Sequence, residues 1–487
     1  MKRDLKIGHL TIQIGSSLRE TMSFIDQNTS GFCFVMDREF LKGIVTDGDI
    51  RRSLLNGFNL DQQVDEMMET NFFSLRKGVS LLEIQLQLKN YEIIPIVDDL
   101  GKLVDFATPQ RFHQIPIVEP VLQGNELEYV TDCVSTGWIS SQGKYVTRFE
   151  DNFSNYTGAD YALSVSNGTV ALHLALVALG IGPDDEVIVP DLTFASPLNA
   201  VLYVGAKPVI LDVDPSTACL NIELIEGAIT GKTKAVIPVH LYGHPVDMNP
   251  LMKIAQKYDL KVIEDCAEAV GSYYHGKHVG CFGDAATFSF FGNKTITTGE
   301  GGMVLFKKQN VFEKAQLLRD HGMSKEKRYW HEEIGYNYRL TNLQAAVGVA
   351  QLEMVDHLVS QKRWMAEIYE GRLRDSYLFS LPCEYGDVIN SYWLYTVYLK
   401  NPDEETRDSI IDRLRNYGIQ SRPVFYSMHR MPPYQKYAFC SSQYHGSLSL
   451  SKGGISLPSS SSATLDEINR VCDALNEIEE TLLANPN

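Results

Sequence analysis

Residues 261–265 read Lys-Val-Ile-Glu-Asp, a short apolar run that leads directly into a carboxylate. Such a run is typical of a buried strand, and it is one of six that alternate with helical patterns. The six predicted strands are 186–190, 208–213, 235–239, 261–264, 286–290 and 302–306. This alternation predicts an α/β fold, a mostly parallel sheet with helices on both faces. Ligands of such sheets bind at the carboxyl ends of the strands.

Two of these strand ends carry charged residues that complement each other. Asp265 needs a cationic partner, because a buried charge is costly without one. Lys294 lies in the Gly- and Thr-rich turn 289–302 between two strands, where its amine is expected to be accessible. The two residues therefore mark a candidate site.

A third segment, Ser-Val-Ser-Asn-Gly-Thr at 164–169, precedes an apolar helical run at 170–179. Its backbone N–H groups and the helix dipole can hold a phosphate. Phe194 follows the first predicted strand and can stack on a planar ring. A phosphate site, an acid for a protonated ring nitrogen and a lysine amine together indicate pyridoxal phosphate (PLP) as the cofactor.

The chemistry of that cofactor requires these residue types. A lysine amine binds the cofactor's aldehyde and then moves a proton between a cofactor carbon and a substrate carbon. An aspartate keeps the ring nitrogen protonated, so that the ring accepts electrons. Each signal is weak alone, since a lysine is most often solvated and Ser-Asn-Gly-Thr is most often a turn. Their joint order is more specific.

Four segments then resemble the DegT/DnrJ/EryC1/StrS family of sugar aminotransferases: 238–243, 263–269, 294–302 and 335–346. The resemblance extends from about Ile115 to the C-terminus. It implies the fold-type I architecture of PLP-dependent transferases, with a small C-terminal α+β domain after the large one.

The family resemblance also implies a role for each site residue. Lys294 is the lysine that binds the cofactor, and Asp265 is the partner of the ring nitrogen. Glu268 lies near the ring hydroxyl, where the family usually has Gln or His. The phosphate is bound by Gly168, Thr169 and Ser289 of one subunit, together with Asn337 of the partner subunit. The resemblance therefore implies a homodimer or a higher homo-oligomer.

A narrower resemblance, to perosamine-forming members of the family, is carried by segments 135–141, 292–294, 328–331 and 429–434. It implies that glutamate donates its amino group to C4 of a nucleotide-linked 4-keto-6-deoxy sugar, GDP-4-keto-6-deoxymannose, for a surface polysaccharide such as an O-antigen. Phe291 replaces the histidine that many relatives carry three residues before the lysine, as an aromatic residue does in this subgroup. The candidate sugar and diphosphate contacts are Trp138, His321, Arg328, His331 and His429.

Three alternatives remain open at this point. The sugar can instead be linked to UDP or dTDP. A PLP-dependent ketosugar dehydratase shares the fold, but such relatives replace the lysine by histidine, so Lys294 argues against a dehydratase. A nucleotide-sensing regulatory protein with an inert large domain is disfavoured by the intact pair of Lys294 and Asp265.

The N-terminal part contains an internal repeat. Gly-Ser-Ser-Leu-Arg-Glu at 15–20 recurs as Gly-Val-Ser-Leu-Leu-Glu at 78–83, and each copy begins a helix with a capping Ser. Each predicted helix is followed by two short strands, which indicates a pair of βαββα units. The segment 43–52 resembles the signature of CBS domains. The family resemblance implies that Thr46 and Asp49 contact an adenine nucleotide, while the second copy breaks this pattern.

These segments predict three domains: a tandem CBS pair of α+β type at 1–113, a PLP-binding domain at 114–370 and a small domain at 371–487. In the last of these, Pro-Asp-Glu-Glu at 402–405 predicts a helix start. Apolar residues at 468, 471, 475, 478 and 482 predict a final helix with one buried face.

Composition excludes several classes of function. The 487 residues carry a formal net charge of −17, so we expect no nucleic acid partner. No apolar run has the roughly 18–20 residues of a membrane span, and residues 1–6 do not lead into a secretory signal, so we expect a cytoplasmic protein. The eight cysteines have no metal-ligand spacing, so we expect free thiols and no metal.

Overall fold

The computed structural model describes residues 7–109, 112, 114–438 and 444–484. The chain divides into two compact units, Met1–Gln114 and Ile115–Asn487. Residues 1–6 and Cys440, which the sequence analysis considered, lie outside the described residues. The seven described cysteines are free thiols.

The first unit contains the same fold motif twice. The first copy consists of β1 (Thr11–Gln13), α1 (Leu18–Asn28), β2 (Phe32–Asp37), β3 (Phe40–Thr46) and α2 (Asp47–Leu55). The second consists of β4 (Leu75–Arg76), α3 (Leu81–Gln87), β5 (Ile94–Val97) and β6 (Leu103–Ala107). In each copy the first strand is parallel to the second, and the second is antiparallel to the third. The predicted repeat is confirmed.

The predicted helix caps of the repeat are also present. The Ser17 side chain accepts a hydrogen bond from the backbone N–H of Glu20, and Ser80 accepts one from Glu83 in the same way. These bonds satisfy N–H groups that a helix N-terminus otherwise leaves free. The expected second helix of the second copy is absent from residues 108, 109, 112 and 114, whereas 110, 111 and 113 lie outside the described part.

The second unit is built around a seven-stranded sheet. Its strands are β7 (Tyr161–Val165), β8 (Glu186–Pro190), β9 (Lys207–Leu211), β10 (Thr233–Val236), β11 (Lys261–Asp265), β14 (Ala285–Ser289) and β15 (Gly302–Phe306). A three-stranded sheet beside it is formed by β12 (Tyr273–Tyr274), β13 (Lys277–His278) and β17 (Val388–Ile389). The large sheet has the order β7-β15-β14-β11-β10-β8-β9, and only β15 is antiparallel to its neighbours.

The sheet confirms the mostly parallel architecture expected from the sequence. All six predicted strands are present, with boundaries shifted by up to three residues. The sequence analysis missed β7, which pairs with β15 at one edge of the sheet. Because β7, β8, β11 and β14 run in the same direction, their carboxyl ends meet at the same edge. The candidate site residues follow or end these four strands.

Helices cover the large sheet and continue the chain toward the C-terminus. They are α4 (Glu126–Thr136), α5 (Lys144–Thr157), α6 (Gly168–Ala178), α7 (Ser196–Tyr203), α8 (Ile225–Ala228), α9 (Met248–Tyr258), α10 (Gln309–Arg319), α11 (Asn342–Glu353) and α12 (Val355–Leu373). Helix α6 is apolar all round and is almost completely buried, as expected for a helix that packs in the core.

The C-terminal segment forms a small α+β layer, as expected. Its antiparallel sheet has the order β16 (Phe379–Ser380), β18 (Thr396–Leu399), β20 (Gly454–Ser456) and β19 (Arg422–Pro423). The helices are α13 (Glu404–Asn416), which Asp403 caps, α14 (His445–Gly453) and α15 (Leu465–Ala484). The predicted stripe on α15 faces inward, since Ile468, Val471, Leu475 and Ile478 are buried. The expected domain boundary at residue 370 falls inside α12.

No helix in the described part of the chain combines the length and the apolar character that crossing a bilayer requires.

Candidate active site

The site centres on Lys294, whose backbone lies in the loop after β14. Its Nζ atom lies 3.6 Å from Oε1 of Glu268 and 3.8 Å from the centre of the Trp393 ring. Burial lowers the pKa of Lys294, and the charges of Glu268 and Asp265 oppose that shift. The amine is thus held between a carboxyl group and an aromatic face.

Asp265 is the last residue of β11 and is buried. Its Oδ1 atom accepts a hydrogen bond from the backbone N–H of Ala267 at 3.0 Å. Its Oδ2 atom makes no hydrogen bond within the described part of the chain. Burial raises the pKa of Asp265, since a carboxylate loses solvation at the end of a buried strand. This geometry leaves one acid oxygen free to bind a cationic group.

Glu268 is the second buried acid of the site. Its Oε2 atom accepts a hydrogen bond from the backbone N–H of Tyr242 at 2.9 Å, which fixes the carboxyl group beside Lys294. Burial raises the pKa of Glu268 to about 7, although the nearby amine acts in the opposite direction. Glu268 and Lys294 can therefore share a proton near neutral pH.

A second buried pair, the side chains of His240 and Glu264, lies next to Asp265. Nε2 of His240 lies 3.2 Å from Glu264, whose carboxylate also accepts backbone N–H bonds from Gly280, Phe282 and Gly283. Burial acts to raise the pKa of Glu264, but His240 and the backbone hydrogen bonds lower it, and the net shift is downward.

His240, Glu264 and Cys266 are three potential metal ligands, and their ligand atoms lie within 4.8 Å of one another. Nδ1 of His240 accepts a hydrogen bond from the backbone N–H of Val246, and the carboxylate is already bonded as described above. The lone pairs of His240 and Glu264 that a metal would need are therefore engaged by protein donors.

The proposed phosphate loop leads into the N-terminus of α6. The side chain of Asn167 caps this helix by accepting from the backbone N–H of Val170. A Cβ atom on Gly168 would lie 2.9 Å from the Cβ atom of Ser289, so the two predicted phosphate residues meet closely. The Thr169 hydroxyl lies 2.8 Å from that of Ser196. Three hydroxyl groups and a helix N-terminus thus converge at the edge of the sheet.

The close approach at Gly168 leads to a test of stability. We expect Gly168→Ala to lower the free energy of unfolding by about 1–3 kcal/mol, because the added methyl group overlaps Ser289. Gly182→Ala is the matched control, since no heavy atom lies within 4 Å of its added Cβ. Urea denaturation of both variants measures the difference, and equal stability of the two would contradict the overlap.

Phe194 follows β8 and begins a row of aromatic rings. It is 59% exposed, so its face is free to stack on a ligand. Its centroid lies 5.9 Å from that of Phe425, which stacks on Tyr242 at 5.5 Å. Tyr242 in turn stacks on Trp393 at 6.1 Å. The row extends from Phe194, the predicted ring-stacking residue, to Trp393, whose ring lies against the Lys294 amine.

Three of the predicted substrate residues lie in or next to an exposed run at 325–334. Nδ1 of His331 donates to the carbonyl oxygen of His321 at 2.9 Å. The guanidinium of Arg328 lies 5.0 Å from the ring centre of Tyr329. No hydrogen bond or ion pair joins this run to Lys294 within the residues that the structure describes.

Asn337 and Trp138 occupy different places. Asn337 is exposed, and its Oδ1 atom accepts from Nε of Arg339 at 3.2 Å. The carbonyl oxygen of the next residue, Tyr338, accepts from the N–H of Ser166 in the loop before α6. Trp138 is 59% exposed and lines a cavity of about 570 Å³ that Arg319 also lines.

The structure gives His429 a different surrounding from the one we expected. The residue is buried, its Nδ1 atom lies 2.7 Å from Oδ2 of Asp191, and its ring stacks on Tyr444 at 4.2 Å. Its backbone N–H donates to the same aspartate. These contacts link the end of β8 to the C-terminal segment, and a sugar contact by His429 stays a prediction.

In the first unit, Thr46 and Asp49 bind each other. The Thr46 side chain caps α2, and Asp49 accepts from the N–H and hydroxyl groups of Thr46 and pairs with Arg52. A cavity of about 700 Å³ is lined by residues of α1, the loop after it and α2, among them Asp47 and Ile50. Neither expected nucleotide residue lines it.

Sequence reasoning did not find Trp393, Tyr242 or Ser196 as members of the site. Tyr242 belongs to one of the family-like segments, which was a usable signal. Trp393 and Ser196 carry no local signal, because their contacts depend on segments that are distant along the chain.

Comparison with known proteins agrees with this geometry. The model of the DegT/DnrJ/EryC1/StrS aminotransferase family matches residues 120–476, and the CBS domain model matches residues 1–56. The GDP-perosamine synthase of Escherichia coli O157:H7 is 46% identical over 367 residues, which cover 74% of this chain and 98% of that protein. The GDP-perosamine synthase of Caulobacter vibrioides is 46% identical over 75% of this chain and 98% of its own length.

Solved structures show the same fold. The Spr1654 protein of Streptococcus pneumoniae, described as a sugar aminotransferase and solved in PMP and PLP forms, superposes with a TM-score of 0.73 at 28% identity for its PMP form. The superposition covers 76% of this chain and 99% of that protein. The CBS domain model confirms the resemblance to CBS domains for residues 1–56, the first copy of the N-terminal repeat. This chain is a sugar aminotransferase and belongs to the DegT/DnrJ/EryC1/StrS aminotransferase family.

Proposed function

We propose that this protein is a PLP-dependent aminotransferase that converts GDP-4-keto-6-deoxymannose to its 4-amino sugar with glutamate as the amino donor. The observation that carries the proposal is the cluster of Lys294 with the buried acids Glu268 and Asp265 at the carboxyl edge of the sheet. The choice of a GDP-linked sugar is supported by the 46% identity to GDP-perosamine synthases.

The described residues fit PLP. Asp265 is a buried residue whose Oδ2 atom has no hydrogen-bond partner among the described residues, which suits a protonated ring nitrogen. The phosphate would be held at the N-terminus of α6, beside the close approach of Gly168 to Ser289. Thr169 adds a hydroxyl donor, and the exposed face of Phe194 would cover the ring.

Bound PLP supplies an electron-accepting ring that lets the substrate carbon next to nitrogen lose and regain a proton. Lys294 would hold the cofactor through its amine and then move that proton at Nζ. Burial lowers the pKa of Lys294, which favours the neutral amine that a base requires. Glu268, fixed by Tyr242, stabilises the amine when it carries the proton.

We propose that the working site is shared between two copies of the chain. The exposed run at 325–334 includes three large apolar residues, Tyr329, Trp330 and Ile334, that are 76%, 55% and 93% exposed. Exposure of several apolar side chains in one segment favours contact with another surface. Asn337 of the partner subunit would complete the phosphate site. The proposed sugar and diphosphate contacts remain Trp138, His321, Arg328, His331 and His429.

The substrate is tested by mixing the purified protein and PLP with glutamate and GDP-, UDP- or dTDP-linked 4-keto-6-deoxy sugars, and following each sugar by mass spectrometry. We expect the GDP sugar to gain an amino group at a rate at least tenfold higher than the other two. Preference for UDP or dTDP would redirect the substrate assignment and keep the aminotransferase. Loss of water from the sugar without amination would establish the dehydratase instead.

Binding of an adenine nucleotide at Thr46 and Asp49 stays a prediction. The capping contacts of these side chains would have to be shared with the nucleotide. Turnover measured with and without adenine nucleotides tests a regulatory role, and an unchanged rate and affinity would exclude it.

A further inference from the structure

Trp393 is a buried residue that contacts both the side chain and the backbone around Lys294. The Nζ atom of Lys294 lies 3.8 Å from the centre of its ring. Its indole Nε1–H donates to the carbonyl oxygen of Asn293, the residue before the lysine, at 2.7 Å. The Trp393 side chain thus contacts Lys294 at both ends. It holds the peptide group before the lysine, and its ring lies against the lysine amine.

Trp393 is itself held in place from two sides. The buried Lys362 donates from Nζ to the carbonyl oxygen of Trp393 at 3.1 Å and to that of Ser459 at 2.6 Å. No carboxylate of the described residues lies within ion-pair distance of Lys362, and burial lowers its pKa to about 7. On the other side, the Trp393 ring stacks on Tyr242, whose backbone holds Glu268.

We propose that Trp393 is a positioning residue that holds the amine of Lys294 over its indole face whenever this amine is not bound to the cofactor. This role in turnover rests on the proposed function, because an aminotransferase lysine must be freed and recaptured in each cycle. A cation over an indole face is attracted by the ring's electrons, most strongly where water is excluded. The indole therefore favours the charged amine and keeps it next to Glu268.

The other groups that face the amine act separately from the ring. Glu268 and Asp265 favour the charged form through their negative charge, and burial disfavours it. Glu119 and Lys362 line the same small cavity as Lys294. Leucine and phenylalanine at position 393 both lose the indole N–H bond to Asn293, so the difference between these two variants isolates the contribution of the aromatic face.

The test measures how pH controls the reaction of Lys294 with an amine reagent in the full-length protein without cofactor, with peptide mass spectrometry as the readout. We expect Trp393→Leu to shift the midpoint of this titration downward by about one pH unit. Trp393→Phe retains a ring face and is expected to shift it by less than half as much. The control is Trp364→Phe, a change at a partly buried residue of α12 that packs against the core of the C-terminal segment, which should leave the midpoint unchanged.

Kinetics provide a second readout. We expect Trp393→Leu to lower kcat about tenfold with little change in KM for glutamate, and Trp393→Phe to restore much of kcat. An unchanged or raised midpoint in the leucine variant would overturn the proposal, as would equal midpoints for the two variants. If the leucine variant does not fold, Trp393→Met takes its place with the same expected downward shift, and an unchanged midpoint in that variant would overturn the proposal. The titration uses no sugar, so a failed substrate assignment leaves its outcome interpretable.

Discussion

Replacement of Lys294 by methionine is expected to reduce amination of the sugar by about three orders of magnitude or more. The variant loses the only amine that lies between Glu268 and the Trp393 face in the described structure, and with it the proposed proton carrier. Proton transfer by a positioned side chain contributes about 10²–10⁴-fold to a rate, and loss of covalent attachment of the cofactor adds to that. Mass spectrometry of the sugar product measures turnover, and borohydride reduction followed by peptide mapping measures attachment of the cofactor.

Lys307→Met is the matched control for this change. Lys307 is exposed at the end of β15, and its recorded hydrogen bond uses only its backbone N–H, which donates to Asp284. We expect this variant to keep full turnover and to retain the cofactor on Lys294 after reduction. Cofactor attachment that survives in Lys294→Met would show that another amine carries the chemistry.

The sequence predicted the residues at the strand ends because a local pattern determines them. The run that ends in Asp265 is apolar and short enough for a buried strand, and parallel strands present their carboxyl ends at one edge. Phe194 follows from the same rule, whereas Ser289 was implied by the family resemblance. The helix caps at Ser17 and Ser80 were predictable for a similar reason, since a cap and its N–H partner lie three residues apart.

Contacts between distant segments could not be predicted in this way. Trp393 reaches a carbonyl 100 residues away along the chain, and His429 binds an aspartate 238 residues away. Nothing in the residues next to Trp393 or His429 indicates these partners. For His429 the result was a different surrounding from the expected one, because an isolated histidine has the same local pattern whether it binds a ligand or a buried acid.

Thr46 and Asp49 illustrate a different limit. A hydroxyl residue followed three positions later by an acid is the pattern of a helix capping box as well as that of a nucleotide contact. The structure shows both reciprocal capping bonds. Sequence alone does not separate the two interpretations, because both need the same side chains at the same spacing.

Asp265→Asn is expected to lower turnover by two to three orders of magnitude, while the cofactor-free protein loses little stability. Loss of one partner of a buried, hydrogen-bonded charge pair costs about 2–5 kcal/mol, and each 1.4 kcal/mol corresponds to a factor of ten. An amide can still accept the hydrogen bond from Ala267 but carries no charge for the ring nitrogen. Asp259→Asn is the control, because that residue is exposed, precedes the same strand and has a left-handed conformation that Asn tolerates.

The pH dependence of stability distinguishes a cofactor partner from a structural acid. The pKa of Asp265 is raised by burial, so its contribution to stability is present below the unfolded-state pKa of about 4 and is lost as pH rises through the folded-state pKa. The cofactor-free Asp265→Asn variant should not show this loss of stability with rising pH. Above pH 6 its free energy of unfolding should be within about 1 kcal/mol of that of the unaltered protein, or higher. A large loss of stability without cofactor would instead mean that the charge of Asp265 serves the fold, because only a binding role predicts that the defect appears when PLP is added.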